Sequence, residues 1–178
     1  YSGGGFLLLE HLLEKLAPKK GEWKLQELTR FYLDCMELRD LHLHTEPHHL
    51  AVGYKKGVAV PRLHFPAFAA GAYGSARDMA RFLQHLTRSF HETEDTDSLS
   101  HDAAVEMLHG IDRGSRLFMG ADMGLGVFVV EAGPNTFALH QGANDGFRAL
   151  FLQCFRGPDQ GKGLVIFCNG DNEAVPAI

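Results

Sequence analysis

Gly71-Ala72-Tyr73-Gly74-Ser75-Ala76-Arg77-Asp78-Met79-Ala80-Arg81-Phe82-Leu83 is a glycine-bounded turn that runs directly into a helix start. Ser75 can accept a backbone N–H and Asp78, three residues on, completes a capping box. Met79, Phe82, Leu83, Leu86 and Phe90 follow at three- and four-residue intervals, which predicts a helix with one buried face. Upstream, Leu8, Leu9, Leu12, Leu13 and Leu16 share a face between Phe6 and Leu16, and Pro18 closes that helix. After the Lys19-Lys20-Gly21 turn, Leu25, Leu28, Phe31, Tyr32, Cys35 and Leu38 predict a second amphipathic helix from Trp23 to Leu38. From Arg39 to Gly74 the periodicity fails and Pro47, Pro61 and Pro66 appear, so a long wrapping loop is expected.

Downstream of the deciding stretch, Glu92 to Asp97 reads as a solvated acidic face, and Ser100 caps a short helix through Ala103, Ala104, Met107 and Leu108. The pattern then changes. Gly124 to Glu131, Thr136 to His140, Phe147 to Phe155 and Leu164 to Cys168 are β-branched or aromatic runs separated by Gly133-Pro134, Asn144-Asp145-Gly146 and residues 157–163. Short turns between such runs make hairpins, hence antiparallel pairing. Helices segregated before an antiparallel sheet predict an α+β fold. All 178 residues are expected to form one partial domain, mainly helical with a long loop over 1–110 and a sheet over 111–178.

Composition narrows the function classes. With 45% hydrophobic and 22% charged residues the chain has globular composition, and a formal charge of −5 supplies no basic stripe for nucleic acid. The longest apolar runs, near Phe6 to Leu9 and Leu164 to Phe167, are far shorter than the ~20 residues that span a bilayer. Cys35, Cys154 and Cys168 are odd in number and lack C-x-x-C spacing, which disfavours a disulfide framework or a thiolate zinc site. Nothing in these residues addresses the chain to a compartment.

Several stretches together resemble a known family. Tyr1-Ser2-Gly3-Gly4-Gly5-Phe6-Leu7-Leu8-Leu9 resembles the tyrosine motif, and the helix it opens, of class C β-lactamase-related serine hydrolases and esterases. The stretch from Gly71 to Leu83 is similar to that family's glycine turn and following Ser/Thr-x-x-Asp helix. Met123-Gly124-Leu125-Gly126, then His140-Gln141-Gly142-Ala143-Asn144-Asp145-Gly146-Phe147, then Asn169-Gly170-Asp171 come in the family's order. The resemblance covers the whole chain and implies the β-lactamase and penicillin-binding-protein type of fold.

The family's chemistry needs a Ser-x-x-Lys at a helix start, in which serine attacks a carbonyl and the lysine lies beside it on the same face. No serine here has lysine three residues later: Ser2, Ser75, Ser89, Ser98, Ser100 and Ser115 are followed by Gly5, Asp78, Glu92, His101, Ala103 and Phe118. The family places that motif well before its tyrosine motif, so the expectation is a chain cut at its N-terminus, lacking the nucleophile helix and the N-terminal strands. Glu173 to Ile178 resembles the start of the family's closing helix, so clipping is expected there too.

The resemblance implies roles for five positions. Tyr1 matches the phenolic acid–base group between nucleophile and leaving group. His140 falls where lactamases carry the lysine of Lys-Thr-Gly and esterase-like relatives carry histidine, on an edge strand lining the site. Gly142 would let substrate approach that strand, and the Ala143 N–H would bind the oxyanion together with the missing serine's own N–H. Gly3 stands where many relatives carry an asparagine that holds a substrate amide. A histidine in place of the lysine favours hydrogen bonding over binding a permanent carboxylate charge.

His42-Leu43-His44-Thr45-Glu46-Pro47-His48-His49 superficially resembles a metallo-β-lactamase signature, but it follows an amphipathic helix and contains a proline, so a His-rich surface loop is expected and no metal or other cofactor. For function, an acyl-transferring serine hydrolase acting on an ester, amide or peptide is preferred. The alternative is a non-catalytic binding or scaffold protein on the same fold. The expected partners are a small-molecule or peptide substrate and, through a sheet edge left unpaired, another copy of the chain.

Overall fold

The computed structural model describes residues 2–16, 24–92, 99–110 and 120–171. Four helices come in order: α1 (Gly3–Leu16), α2 (Leu25–Cys35), α3 (Ala76–His91) and α4 (His101–Leu108). A hairpin, β1 (Tyr54–Lys55) and β2 (Val58–Ala59), lies between α2 and α3. After α4 come β3 (Asp122–Met123), β4 (Phe128–Ala132), β5 (Asn135–Asn144), β6 (Phe147–Arg156), β7 (Gly163–Cys168) and β8 (Gly170–Asp171).

The local signals behind α3 and α4 act as expected. Ser75 Oγ accepts from the Asp78 N–H at 3.2 Å and Ser100 Oγ accepts from the Ala103 N–H at 3.2 Å. Each cap satisfies one of the N–H groups that a helix start leaves without a partner. Asp78 itself is buried and its carboxylate accepts from the Asp40 N–H at 2.6 Å, so the start of α3 also anchors the chain entering the long loop. Arg30 anchors that entry from the other side, donating to Asp34 and to the carbonyls of Leu38 and Leu41. α2 ends earlier than its apolar periodicity suggests. Glu37 takes a left-handed φ of 56°, and Leu38 turns into a separate cluster with Leu33 and Met36 instead of extending the helix.

The main sheet is antiparallel, in the order β3-β4-β5-β6-β7. Leu83, Leu86 and Phe90 of α3 and Ala104 and Leu108 of α4 cover one of its faces, meeting Ala138, Phe151 and Phe155. Leu139, Phe128 and Leu152 gather on the opposite face with Ala121 and Met123. Antiparallel strands send alternate side chains to opposite faces, and this core is that alternation filled in.

Two features differ from the sequence expectation. β5 runs through Gly142 to Asn144 instead of stopping at His140, because β6 pairs with it continuously to Asn144↔Phe147. The long loop contains β1 and β2, and β1 joins β8 in parallel through Tyr54↔Gly170 and Lys55↔Asp171. At the other end of β5 the Asn135 amide ties two turns together. It donates to the Asp159 carboxylate at 2.8 Å and its oxygen accepts from the Asp159 N–H at 3.1 Å.

Candidate active site

His140, Gly142 and Ala143 sit on the second half of β5, and the two halves of that strand differ. From Asn135 to Leu139 it pairs with both β4 and β6; beyond Leu139 the β4 ladder has ended and only the β6 ladder continues. The site strand is therefore interior for half its length and borders the sheet only over the residues expected to matter. This corrects the simpler expectation of an edge strand throughout.

The direction of the Ala143 N–H follows from the ladder. Cys154 on β6 donates to Lys162 and accepts from Gly161, both at 2.9 Å and both on the β7 side. Successive residues of an antiparallel strand alternate the direction of their main-chain groups. Arg148, Leu150 and Leu152 therefore face β7, whereas Phe147, Ala149 and Phe151 face their partners Asn144, Gly142 and His140. Gln141 and Ala143 turn their main-chain groups away from β6, past the end of the β4 ladder. That is the orientation a strand-borne oxyanion donor needs.

His140 lies opposite Phe151 and shares the sheet face that carries α3 and α4. Its imidazole is 5.5 Å from the Phe128 ring and 6.3 Å from the Phe151 ring, centroid to centroid. Burial holds its pKa below the ordinary 6.5, and a backbone hydrogen bond involving Gln141 partly offsets the shift. The group is therefore predominantly neutral at pH 7, able to donate from one ring nitrogen and accept at the other. Beside it, a Cβ placed on Gly142 would meet only the Ala149 Cβ, at 3.4 Å. Packing among the described residues does not demand glycine there.

Tyr1 lies outside the described residues. Gly3 is the first residue of α1, exposed, with nothing within 4 Å of an added Cβ. α1 is tied to the rest of the fold by Glu10, whose carboxylate accepts from the Phe68 N–H at 3.2 Å. Asn144 in turn donates to the Ala70 carbonyl at 3.5 Å, so the segment from Phe68 to Ala70 reaches both α1 and the end of β5. The geometry brings His140, Gly142 and Ala143 together and leaves Gly3 on a separate element. The two phenylalanine rings near His140 were not legible beforehand: Phe151 is brought opposite it by strand register, and Phe128 begins the neighbouring strand opposite Leu139.

In the His-rich stretch, His42 Nδ1 lies 3.3 Å from Thr45 Oγ1, and the His44 ring packs 5.9 Å from that of Phe68. Among the described residues no three His, Cys, Asp or Glu side chains group as a metal site. No helix there is long and apolar enough to cross a membrane. A separate depression near Glu131, Thr136 and Arg156 lies at the far end of β5 from His140.

Comparison with known proteins fits this geometry. The family described as Beta-lactamase matches residues 1–178. The octameric penicillin-binding protein homologue from Pyrococcus abyssi is similar with a TM-score of 0.73 at 18% identity, over 96% of this chain and 38% of that one. D-amino acid amidase from Ochrobactrum anthropi SV3, complexed with D-phenylalanine, gives a TM-score of 0.65 at 19% identity, over 100% of this chain and 61% of that one. A D-stereospecific amidohydrolase from Streptomyces sp. gives 0.65 at 20% identity, over 96% and 50%. The chain thus spans between 38% and 61% of the length of these structures, and at such identities the likeness is one of fold. No curated protein sequence matches the chain.

Proposed function

The chain belongs to the beta-lactamase family, and from that premise we propose that it supplies the oxyanion-binding strand of a serine hydrolase whose nucleophile lies outside these 178 residues. Ala143 N–H is one oxyanion donor, Gly142 leaves room for the acyl group, and His140 hydrogen-bonds the phenol of Tyr1 or the substrate. The reaction is acylation of serine by an ester, amide or peptide, followed by hydrolysis of the acyl-enzyme. The observation that carries this reading is the outward direction of the Ala143 N–H on the half of β5 that β4 leaves uncovered.

The charge state of His140 narrows the substrate. A mostly neutral imidazole offers no fixed cation to a β-lactam carboxylate, so small neutral esters are the better substrates. The amidase and amidohydrolase neighbours support an acyl-transfer reading, and the octameric homologue supports self-association.

The test uses a protein that joins these residues to a Ser-x-x-Lys segment. His140→Ala should lower kcat/KM for a p-nitrophenyl ester by roughly ten- to a thousandfold, the range for losing one site hydrogen bond. His140→Lys should raise the relative turnover of a chromogenic cephalosporin. If His140→Ala leaves an active enzyme unchanged on both substrates, this strand is not the active-site strand. The 178-residue chain by itself should not react with a fluorophosphonate, and stoichiometric labelling would place the nucleophile within it.

A further inference from the structure

The end of β5 is held from outside the main sheet. The Tyr54 N–H is shared between the carbonyls of Gly146, at 3.3 Å, and Asn169, at 3.0 Å. Lys55 Nζ lies 3.2 Å from the Asp145 carboxylate, and Asn169 donates to the Val52 carbonyl at 2.9 Å. At the centre of this contact Gly53 and Gly146 meet backbone to backbone. A Cβ on Gly53 would fall 2.6 Å from Phe147 Cε2 and 3.1 Å from the Gly146 carbonyl oxygen. Gly146 needs glycine for its left-handed φ of 77° in any case, but Gly53 has no such φ, so the close approach alone explains its missing side chain.

We infer that Gly53, with the hairpin of residues 54–59 behind it, is a positioning residue for the Ala143 N–H. This rests on the proposed role of Ala143. Beyond Leu139 the site half of β5 lacks the β4 ladder, and the turn that ends it is gripped by the hairpin. The hairpin seats itself on the Asp145-Gly146 turn that follows Asn144 and so fixes where the strand ends. An oxyanion donor has to lie about 2.7–3.1 Å from the developing charge, so even a small shift of the strand end weakens the transition state selectively. A displacement of about 1 Å from a substitution away from the chemistry can cost ~100-fold.

The deciding variant is Gly53→Ala, whose methyl group collides with the Phe147 ring, and the rescue is Gly53→Ala with Phe147→Leu, which removes the ring. In the active full-length protein Gly53→Ala should lower kcat for a p-nitrophenyl ester roughly ten- to a hundredfold with KM within about twofold. Affinity for a boronic-acid transition-state analogue should fall in parallel, and the double variant should recover most of both. In the 178-residue chain, amide exchange at residues 143–147 should accelerate about tenfold in Gly53→Ala and return in the double variant, whether or not the hydrolase reading holds. Lys55→Met, which removes the ion pair to Asp145, covers the case in which Gly53→Ala does not fold and should give the same changes at smaller amplitude. Unchanged exchange at residues 143–147 in both Gly53→Ala and Lys55→Met overturns the inference. So does a KM effect with kcat and boronate affinity intact. An enzyme inactive before any substitution, with exchange responding as described, refutes the function and leaves the mechanical coupling standing.

Discussion

α1 and α3 are helices of 14 and 16 residues that read alike in sequence and differ completely in what surrounds them. α3 buries Asp78, Leu83, Leu86, Thr87, Ser89 and Phe90 against the sheet and α4, whereas α1 buries none of its residues. Leu8, Leu12 and Leu16 of α1 are 66%, 55% and 76% exposed. An apolar stripe states that a face wants cover; it does not say what the cover is. For α3 the cover lies within the described residues, and for α1 that cover is not found among them.

Substitutions sharpen this contrast in order of size. Leu86→Ala empties a site only 1% exposed and should destabilise the chain by about 2–5 kcal/mol in urea unfolding, while Leu12→Ala should stay within about 0.5 kcal/mol. A large effect at Leu12 would show that α1 is covered in solution. Next, Asp78→Ala orphans the Asp40 N–H and loosens the joint between α3 and the long loop, by about 1–3 kcal/mol. Ser75→Ala removes only a cap and should cost about 1 kcal/mol, measurable as a shift in urea midpoint at constant slope.

The smallest expected effect is a pH dependence. Because burial depresses the pKa of His140, the folded state binds fewer protons than the unfolded state in this region, so stability rises with pH. The contribution is complete above the unfolded value near 6.5 and is lost as pH falls below it through the folded pKa. His140→Phe should flatten the stability profile in that window and leave it unchanged above pH 7. An identical slope in both proteins would mean that the imidazole titrates freely.

Local chemistry explains which parts were readable in advance. Ser75 and Ser100 act on N–H groups three residues away, so their helices could be placed from sequence alone. The hairpin of β1 and β2 could not, since its two-residue strands are held by Gly146 and Asn169, more than ninety positions downstream. The β-branched and aromatic run from Thr136 ends at His140, yet pairing with β6 carries β5 on to Asn144. His140, Gly142 and Ala143 are singled out as candidates by motif alone. The Phe128 and Phe151 rings beside His140, and the grip of Gly53 on the following turn, depend on register and had no signature of their own.

The Asn135 clip has a consequence for assembly errors. A strand that slides by one residue turns its apolar side chains to the wrong face, so hydrophobicity rejects that mistake. Sliding by two preserves the alternation and would escape such discrimination. Asn135 reaches both the N–H and the carboxylate of Asp159 only when β5 and β6 are aligned as found. Residue 135 thus proofreads the alignment of a strand whose other end carries Ala143, and a chain lacking that amide would be prone to trap misaligned hairpins.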